Sequence, residues 1–233
     1  MNKLIYLLAA ISLPAATYAQ NGFYLSASGG AGISNATRSE IPGPTLGDKH
    51  AVFQYGARIT VGYQMKRWRL QTGVQYLTSG FKRDLIFGND FNPANLPGVV
   101  NPSGDQSVTF HHIGIPVQVA YTLPLGNKLS LVPTLGVLAT YNTGATVQTW
   151  EGNNKSTYNL TGDAFGTQYN RISVWGTAAL HLEYKLSDKV SLFGGPSASY
   201  MFGNMVKQGS IPYASVTQRN YNIGFELGIK IAL

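Results

Sequence analysis

From Tyr221 to Leu233 every second residue is large and apolar: Tyr221, Ile223, Phe225, Leu227, Ile229, Ile231 and Leu233. Asn222, Gly224, Glu226, Gly228, Lys230 and Ala232 stand between them. A period of two marks an extended strand whose faces meet different surroundings, because successive side chains point to opposite sides. A helix of 3.6 residues per turn would scatter the same residues around its circumference. Any fold for this chain must therefore give its last strand one apolar and one polar side.

A second segment repeats the pattern: Ile113, Ile115, Val117, Val119, Tyr121 and Leu123 alternate with His112, Gly114, Pro116, Gln118, Ala120 and Thr122. Phe23 to Ser34, Val52 to Met65, Trp68 to Phe81, Leu129 to Thr146, Ile172 to Leu186 and Val190 to Phe202 read the same way. Each reaches the roughly 9 to 11 residues that a tilted strand needs to cross a bilayer. Together these segments predict an all-β fold of eight antiparallel strands.

The connections alternate in length. Lys66-Arg67, Leu125 to Lys128 and Ser187 to Lys189 are short, whereas Asn35 to His50, Lys82 to Gln106, Gln148 to Asn170 and Val206 to Gln218 are long, polar and rich in turn residues. Short periplasmic turns facing long outer loops are the pattern of an up-and-down transmembrane β-barrel. An even strand number puts both termini on the periplasmic side and the long loops outside the cell. Aromatics gather near the predicted strand ends, as two interfacial girdles would: Phe23, Tyr63, Trp68, Tyr121 and Tyr184 toward the short turns, and Phe53, Tyr55, Tyr76, Tyr141, Tyr200 and Phe202 toward the long loops. Pro116, Pro133 and Pro196 fall inside strands, where each removes a ladder donor, so irregular pairing is expected there.

Composition separates this barrel from its rivals. Charged residues are only 12% of the chain, about half the share in ordinary soluble domains, yet the mean hydropathy is −0.03. Past the N-terminus no apolar run approaches the roughly 20 residues of a helical span. A soluble barrel of the lipocalin kind would carry its charges outward; here the polar parity is mostly Gly, Ser, Thr, Ala and Gln, short side chains suited to a narrow interior. The absence of cysteine excludes thiolate catalysis, disulfides and Cys-based zinc sites. The net charge of +7 is not gathered into a basic patch interleaved with aromatics, so nucleic acid is not an expected partner.

Residues 1–19 have the three parts of a cleavable secretory signal: Lys3, an apolar stretch from Leu4 to Leu13, and Thr17-Tyr18-Ala19 as a small-x-small cleavage site. The predicted organisation is thus a signal peptide over 1–19 and one barrel domain over 20–233, located in a bacterial outer membrane.

The charges inside the predicted strands share the polar parity. A charge facing lipid costs about 2 to 4 kcal/mol at mid-membrane, so these must point inward. Arg58, Arg69, His181, Glu183, Glu226 and Lys230 are predicted to form a paired network that closes the lumen, with Lys185 and His112 on the same face. A narrow channel for ions or small solutes is the alternative.

The strand His112-Ile113-Gly114-Ile115-Pro116-Val117-Gln118-Val119-Ala120-Tyr121, followed by a short turn and the glycine-containing segment Val132 to Gly136, resembles the corresponding part of the small outer-membrane β-barrel proteins of Bacteroidota, the PorT-like family. The resemblance runs over the mature chain and implies insertion by the barrel-assembly machinery and no active-site residues.

Three chemical readings remain. His111, His112, Ser107 and Ser173 are candidates for a lipid-modifying hydrolase or acyltransferase at the outer rim, although neighbouring histidines on one strand face opposite sides. Asn89, Asp90, Asn92 and Asn95 offer oxygen ligands for Ca²⁺ but lack the ordered spacing and closing glutamate of a calcium loop. Arg38, Lys49, Lys82, Arg83, Lys155, Arg171, Lys207 and Arg219 on or beside the long loops are placed to meet lipopolysaccharide phosphates. The expectation from sequence is a non-enzymatic barrel without cofactor or metal, serving structure, envelope integrity or the docking of an envelope or secretion-system partner.

Overall fold

The computed structural model describes residues 21–39, 49–85, 104–151, 154–207 and 217–233. The expected signal segment and the Asn89, Asp90, Asn92 and Asn95 group lie outside the described residues.

The described residues form eleven strands and one short helix: β1 (Gly22–Ser39), β2 (Lys49–His50), β3 (Val52–Met65), β4 (Trp68–Leu85), β5 (Gly104–Tyr121), β6 (Leu123–Pro124), β7 (Leu129–Glu151), β8 (Asn154–Leu160), α1 (Gly162–Gln168), β9 (Ile172–Lys185), β10 (Val190–Met201) and β11 (Thr217–Ala232). The eight long strands pair antiparallel in the order β1, β3, β4, β5, β7, β9, β10, β11, and β11 returns to β1. The ring is closed, so each of these eight strands has a neighbour on both sides.

All eight expected strands are there, and several run further toward the long loops than the alternation reached. The connection Gln148 to Asn170, expected as a loop, holds the end of β7, the hairpin strand β8 laid along it, and α1. Beyond the bilayer both strand faces meet water or protein, so nothing there enforces an apolar-polar rhythm.

Two of the strand prolines break a ladder without shifting it. Between β4 and β5 the pairing passes from Thr72↔Val117 to Gln75↔Gly114, skipping Pro116. Between β9 and β10 it passes from Gly194↔Leu182 to Ser197↔Ala179, skipping Pro196. Pro133 keeps its register with β9 opposite Leu180. The true bulge lies elsewhere: His111 faces Gly144 but His112 faces Asn142, so β7 carries one extra residue at that level. Below it the even residues of β7 point inward, as Thr134, Leu138, Thr140 and Asn142 do; above it Ala145 and Val147 do.

Toward the long loops β3 and β4 part company above Gly56. Their ladder ends at Gly56↔Leu77, and past it the Thr78 hydroxyl takes the place of ladder partners, accepting from Tyr55 N at 2.9 Å and donating to Tyr55 O at 3.1 Å. The upper end of β4 is thereby released toward β1 and β11: Gly80 N donates to Ser34 Oγ at 2.8 Å, and Asn220 Nδ2 donates to Ser79 Oγ at 2.9 Å.

Around the waist the outward residues are apolar and open, with Ile115 60%, Leu135 66% and Leu227 63% exposed. Aromatic contacts mark both ends of this belt. Phe23 meets Tyr63 at 4.9 Å and Trp68 meets Tyr121 at 4.8 Å near the short turns, while Tyr55 meets Tyr76 at 6.1 Å near the long loops. Tyr63 and Tyr55 on β3 are separated by roughly 26 Å of strand at ~3.3 Å per residue, which a tilt of roughly 40° reduces to about 20 Å, close to the apolar band of an outer-membrane barrel.

Candidate functional site

The site is the lumen, and it is filled at two levels by different chemistry. At the lower level, toward the short turns, inward positions bring the sequence-predicted charges together. Glu183 on β9 accepts from Arg69 on β4 in a two-pronged pair, at 2.5 Å and 3.2 Å, and also from Lys230 Nζ on β11. Arg69 Nε further donates to Gln64 Oε1 at 3.1 Å. Glu226 on β11 pairs with Arg58 of β3 and accepts from Ser28 Oγ at 2.5 Å. His181 Nε2 lies 3.4 Å from Glu226 Oε2 without hydrogen-bond geometry.

Amides extend the Glu226 centre across the lumen. Arg58 Nη1 and Gln71 Nε2 both donate to Gln118 Oε1, at 2.8 Å and 2.7 Å, and Gln118 Nε2 reaches Thr177 Oγ1 at 3.2 Å. Tyr24 closes the chain by donating to Gln71 Oε1 at 2.9 Å, and its ring lies over Gly62, where a Cβ would collide with it. The network ties β1, β3, β4, β5, β9 and β11 across the lumen. Each carboxylate faces at least one cation, the condition under which buried charge is tolerated.

At the upper level the polar groups are neutral and enclosed in an apolar cluster. His112 Nδ1 contacts Asn142 Oδ1, and His112 Nε2 lies 2.8 Å from Ser79 Oγ. An amide oxygen can only accept, so Nδ1 carries the proton, Nε2 bears the lone pair, and Ser79 donates to it. Asn142 Nδ2 donates to Ser173 Oγ at 2.9 Å and to the Asn170 carbonyl at 2.5 Å. Around this relay pack Leu77, Phe81, Phe110, Leu138, Trp175, Met201 and Met205. Trp175 stands edge-on to His112 at 5.4 Å and donates its Nε1–H to Thr140 Oγ1 at 3.1 Å.

The helix α1 caps this level. It drives Phe165, 1% exposed, against Phe110, and Tyr169 meets Phe110 edge-on with centroids 5.0 Å apart. The chain after β10 straps the cap down, with Asn170 N bonded to Met205 O at 2.9 Å and Lys207 N to Gln168 O at 3.0 Å.

Side chains divide the remaining space into separate cavities. One of about 360 Å³ opens at the short-turn end. A second of about 30 Å³ lies between Arg58 and Arg69, and a third of about 80 Å³ lies beside Gln118 and Glu226.

Of the predicted rim residues, His112 and Ser173 enter the buried relay. His111 points the other way, to Tyr76 Oη at 2.8 Å and Thr146 Oγ1 at 3.2 Å. Ser107 does not join them; it lies in the pairing of β5 with Lys82 and Gln148. Ser79, Asn142 and Asn220 are functional candidates that the sequence reading passed over. Parity places each on an inward face, but they are far apart in the chain, and their meeting depends on the bulge and the inward lean of β4. Ser79–His112–Asn142 has the connectivity of a nucleophile, a base and the group that orients it, yet none of the three cavities is lined by these residues.

Among the long-loop cations, Lys82 pairs with Asp105, and Arg171 donates to Tyr141 Oη at 2.7 Å and to the Gly162 carbonyl at 2.6 Å. Lys155 lies over the Trp150 ring at 5.2 Å. Among the described residues no cluster of three or more His, Asp and Glu side chains suits a metal ion.

An apolar waist around a polar, charge-paired interior is the arrangement of a barrel solvated by lipid, the inverse of a soluble one. The chain is a transmembrane β-barrel of the outer-membrane kind. It is similar to Neisserial surface protein A, at 16% identity over 91% of this chain and 97% of that one with a TM-score of 0.41. It is also similar to OprG of Pseudomonas aeruginosa (13%, 91% and 98%, TM-score 0.42) and to the protease OmpT of Escherichia coli (10%, 90% and 97%, TM-score 0.46). No family model and no curated protein matches the chain.

Proposed function

We propose that the protein is a non-conducting, non-enzymatic barrel of the bacterial outer membrane, with periplasmic termini and extracellular long loops, that serves envelope integrity or the docking of an envelope partner. The observation that carries this reading is the lumen, crossed by the Arg69–Glu183–Lys230 and Arg58–Glu226 pairs and filled above them by the cluster around Phe110 and Trp175. A solute would have to break buried ion pairs and then displace close-packed rings. Planar-bilayer recording of the folded protein tests it: the expected trace lacks steady conductance, and a stable open level would sink the closed-lumen reading in favour of a narrow channel.

The docking part is tested by purification from native outer membrane, where a stoichiometric envelope or secretion-system protein is expected. Lipopolysaccharide contact at the loop cations and insertion by the barrel-assembly machinery belong to the same reading, as does membership of the PorT-like group, which rests on the His112 to Tyr121 strand.

A lipid-modifying hydrolase is the second reading, and the Ser79–His112–Asn142 relay favours it. It requires α1 to lift and admit an acyl chain to the apolar cluster. Labelling of Ser79 by a fluorophosphonate, abolished by His112→Ala, would establish it; an unlabelled barrel returns the relay to a structural role.

A further inference from the structure

The largest of the three cavities lies outside both filled levels, at the end of the lumen where the short turns gather. It measures about 360 Å³ and is lined by Asn21, Lys128, Asp188, Lys189 and Leu233 at its mouth. Its floor is the Arg69–Glu183–Lys230 cluster. That volume falls in the roughly 300 to 1,000 Å³ range of small-molecule sites.

Its electrostatics are unbalanced. Arg69, Lys128, Lys185, Lys189 and Lys230 line it, against the side-chain carboxylates of Glu183 and Asp188. Glu183 is shared between Arg69 and Lys230, and Asp188 is matched to Lys185 at 3.0 Å. Among the described residues no carboxylate side chain lies within ion-pair distance of Lys128 or Lys189. They come from different turns, after β6 and after β9, and both line the same opening. A concave site with low-dielectric walls concentrates the field of such uncompensated cations.

A second observation is independent of charge. Thr122 lines the same cavity, is 9% exposed, and its Oγ1 is buried with no hydrogen-bond partner. A buried hydroxyl left unpaired is unfavourable, and in a residue that lines a cavity a turn about Cα–Cβ brings it to an acceptor held there. Ser130 and Ser191 add hydroxyls to the same wall.

We propose that this vestibule binds a small organic anion bearing phosphate or carboxylate groups, taken from the side of the short turns. Lys128 and Lys189 hold its charge at the mouth, the positive excess of the floor attracts it inward, and Thr122 donates to it. The site stands whether or not the barrel docks a protein, since it uses lumen residues alone.

The test is calorimetric titration of the folded, detergent-solubilised protein at low ionic strength with inorganic pyrophosphate, with tricarballylate, and with sucrose as a neutral control of similar bulk. Saturable binding of an anion and none of sucrose is expected, the tighter anion naming phosphate or carboxylate as the source. Removing two charge-assisted hydrogen bonds in Lys128→Gln/Lys189→Gln should weaken binding at least about tenfold, and Thr122→Val about threefold. The rim variant Lys66→Gln/Arg67→Gln, which lies outside the cavity lining, should leave the affinity within about twofold. Folding of each variant is checked by its heat-shifted mobility in detergent gels. Absence of saturable heat, binding of sucrose equal to that of the anions, or equal weakening in the rim variant would overturn the proposal.

Discussion

The two levels of the lumen solve one problem in opposite ways. The lower level, next to a water-accessible vestibule, is filled with ionised groups: Arg58, Arg69, Glu183, Glu226 and Lys230. The upper level, sealed by α1, is filled with rings, methionines and neutral amides, and its one imidazole is held between Asn142 and Ser79. The difference teaches that a narrow barrel keeps charges where water and counter-charges can reach them. It keeps directional but uncharged bonds where packing has expelled water, because desolvating an ion is far more costly than desolvating an amide that keeps its partners.

The comparison breaks most visibly at Glu183. Glu183→Ala leaves Arg69 and Lys230 facing each other without their shared carboxylate, and a loss of about 3 to 5 kcal/mol is expected in urea unfolding from detergent micelles. Adding Arg69→Met should recover part of that loss, which separates an orphaned charge from lost packing. Moving a charge to the outside tests the same rule from the other face: Ile115→Lys, at a lipid-facing position, should cost about 2 to 4 kcal/mol in bilayer-refolding equilibria.

At the upper level the expected response is graded. Met205→Ala removes a fully buried side chain from a loop that can settle into the space, so about 2 kcal/mol is expected in the same unfolding assay. It should leave the pyrophosphate affinity of the vestibule unchanged, showing that the levels are independent. The smallest effect belongs to the turn between β3 and β4. Lys66 holds a positive φ of 54°, and Lys66→Gly should stabilise the barrel by about 0.5 to 1 kcal/mol, read as a higher urea midpoint.

Much of this barrel was legible before any coordinates. The alternation in Tyr221 to Leu233 and Ile113 to Leu123 located two strands and the side each shows to lipid, and the rhythm of short and long connections ordered all eight. Parity also named the inward charges, because an arginine facing hydrocarbon is too costly. What escaped was concentrated near the long loops. The hairpin of β7 with β8 and the helix α1 lie outside the bilayer, where no solvent boundary imposes a period of two. Ser107 looked as promising as Ser173, since both fall toward the outer rim, and only the fold shows that Ser173 shares the relay.

The sequence by itself determined the in-out division of the barrel, since a two-residue period is read locally and lipid and lumen impose it on every strand separately. Which inward groups meet was decided by the tertiary structure alone. Glu183 choosing Arg69 and Lys230, His112 reaching Ser79 and Asn142, and Lys128 and Lys189 lining one opening depend on strand stagger, on the extra residue in β7 and on the lean of β4. Those are properties of the closed ring, where residues more than a hundred positions apart become neighbours, and no local pattern encodes that closure.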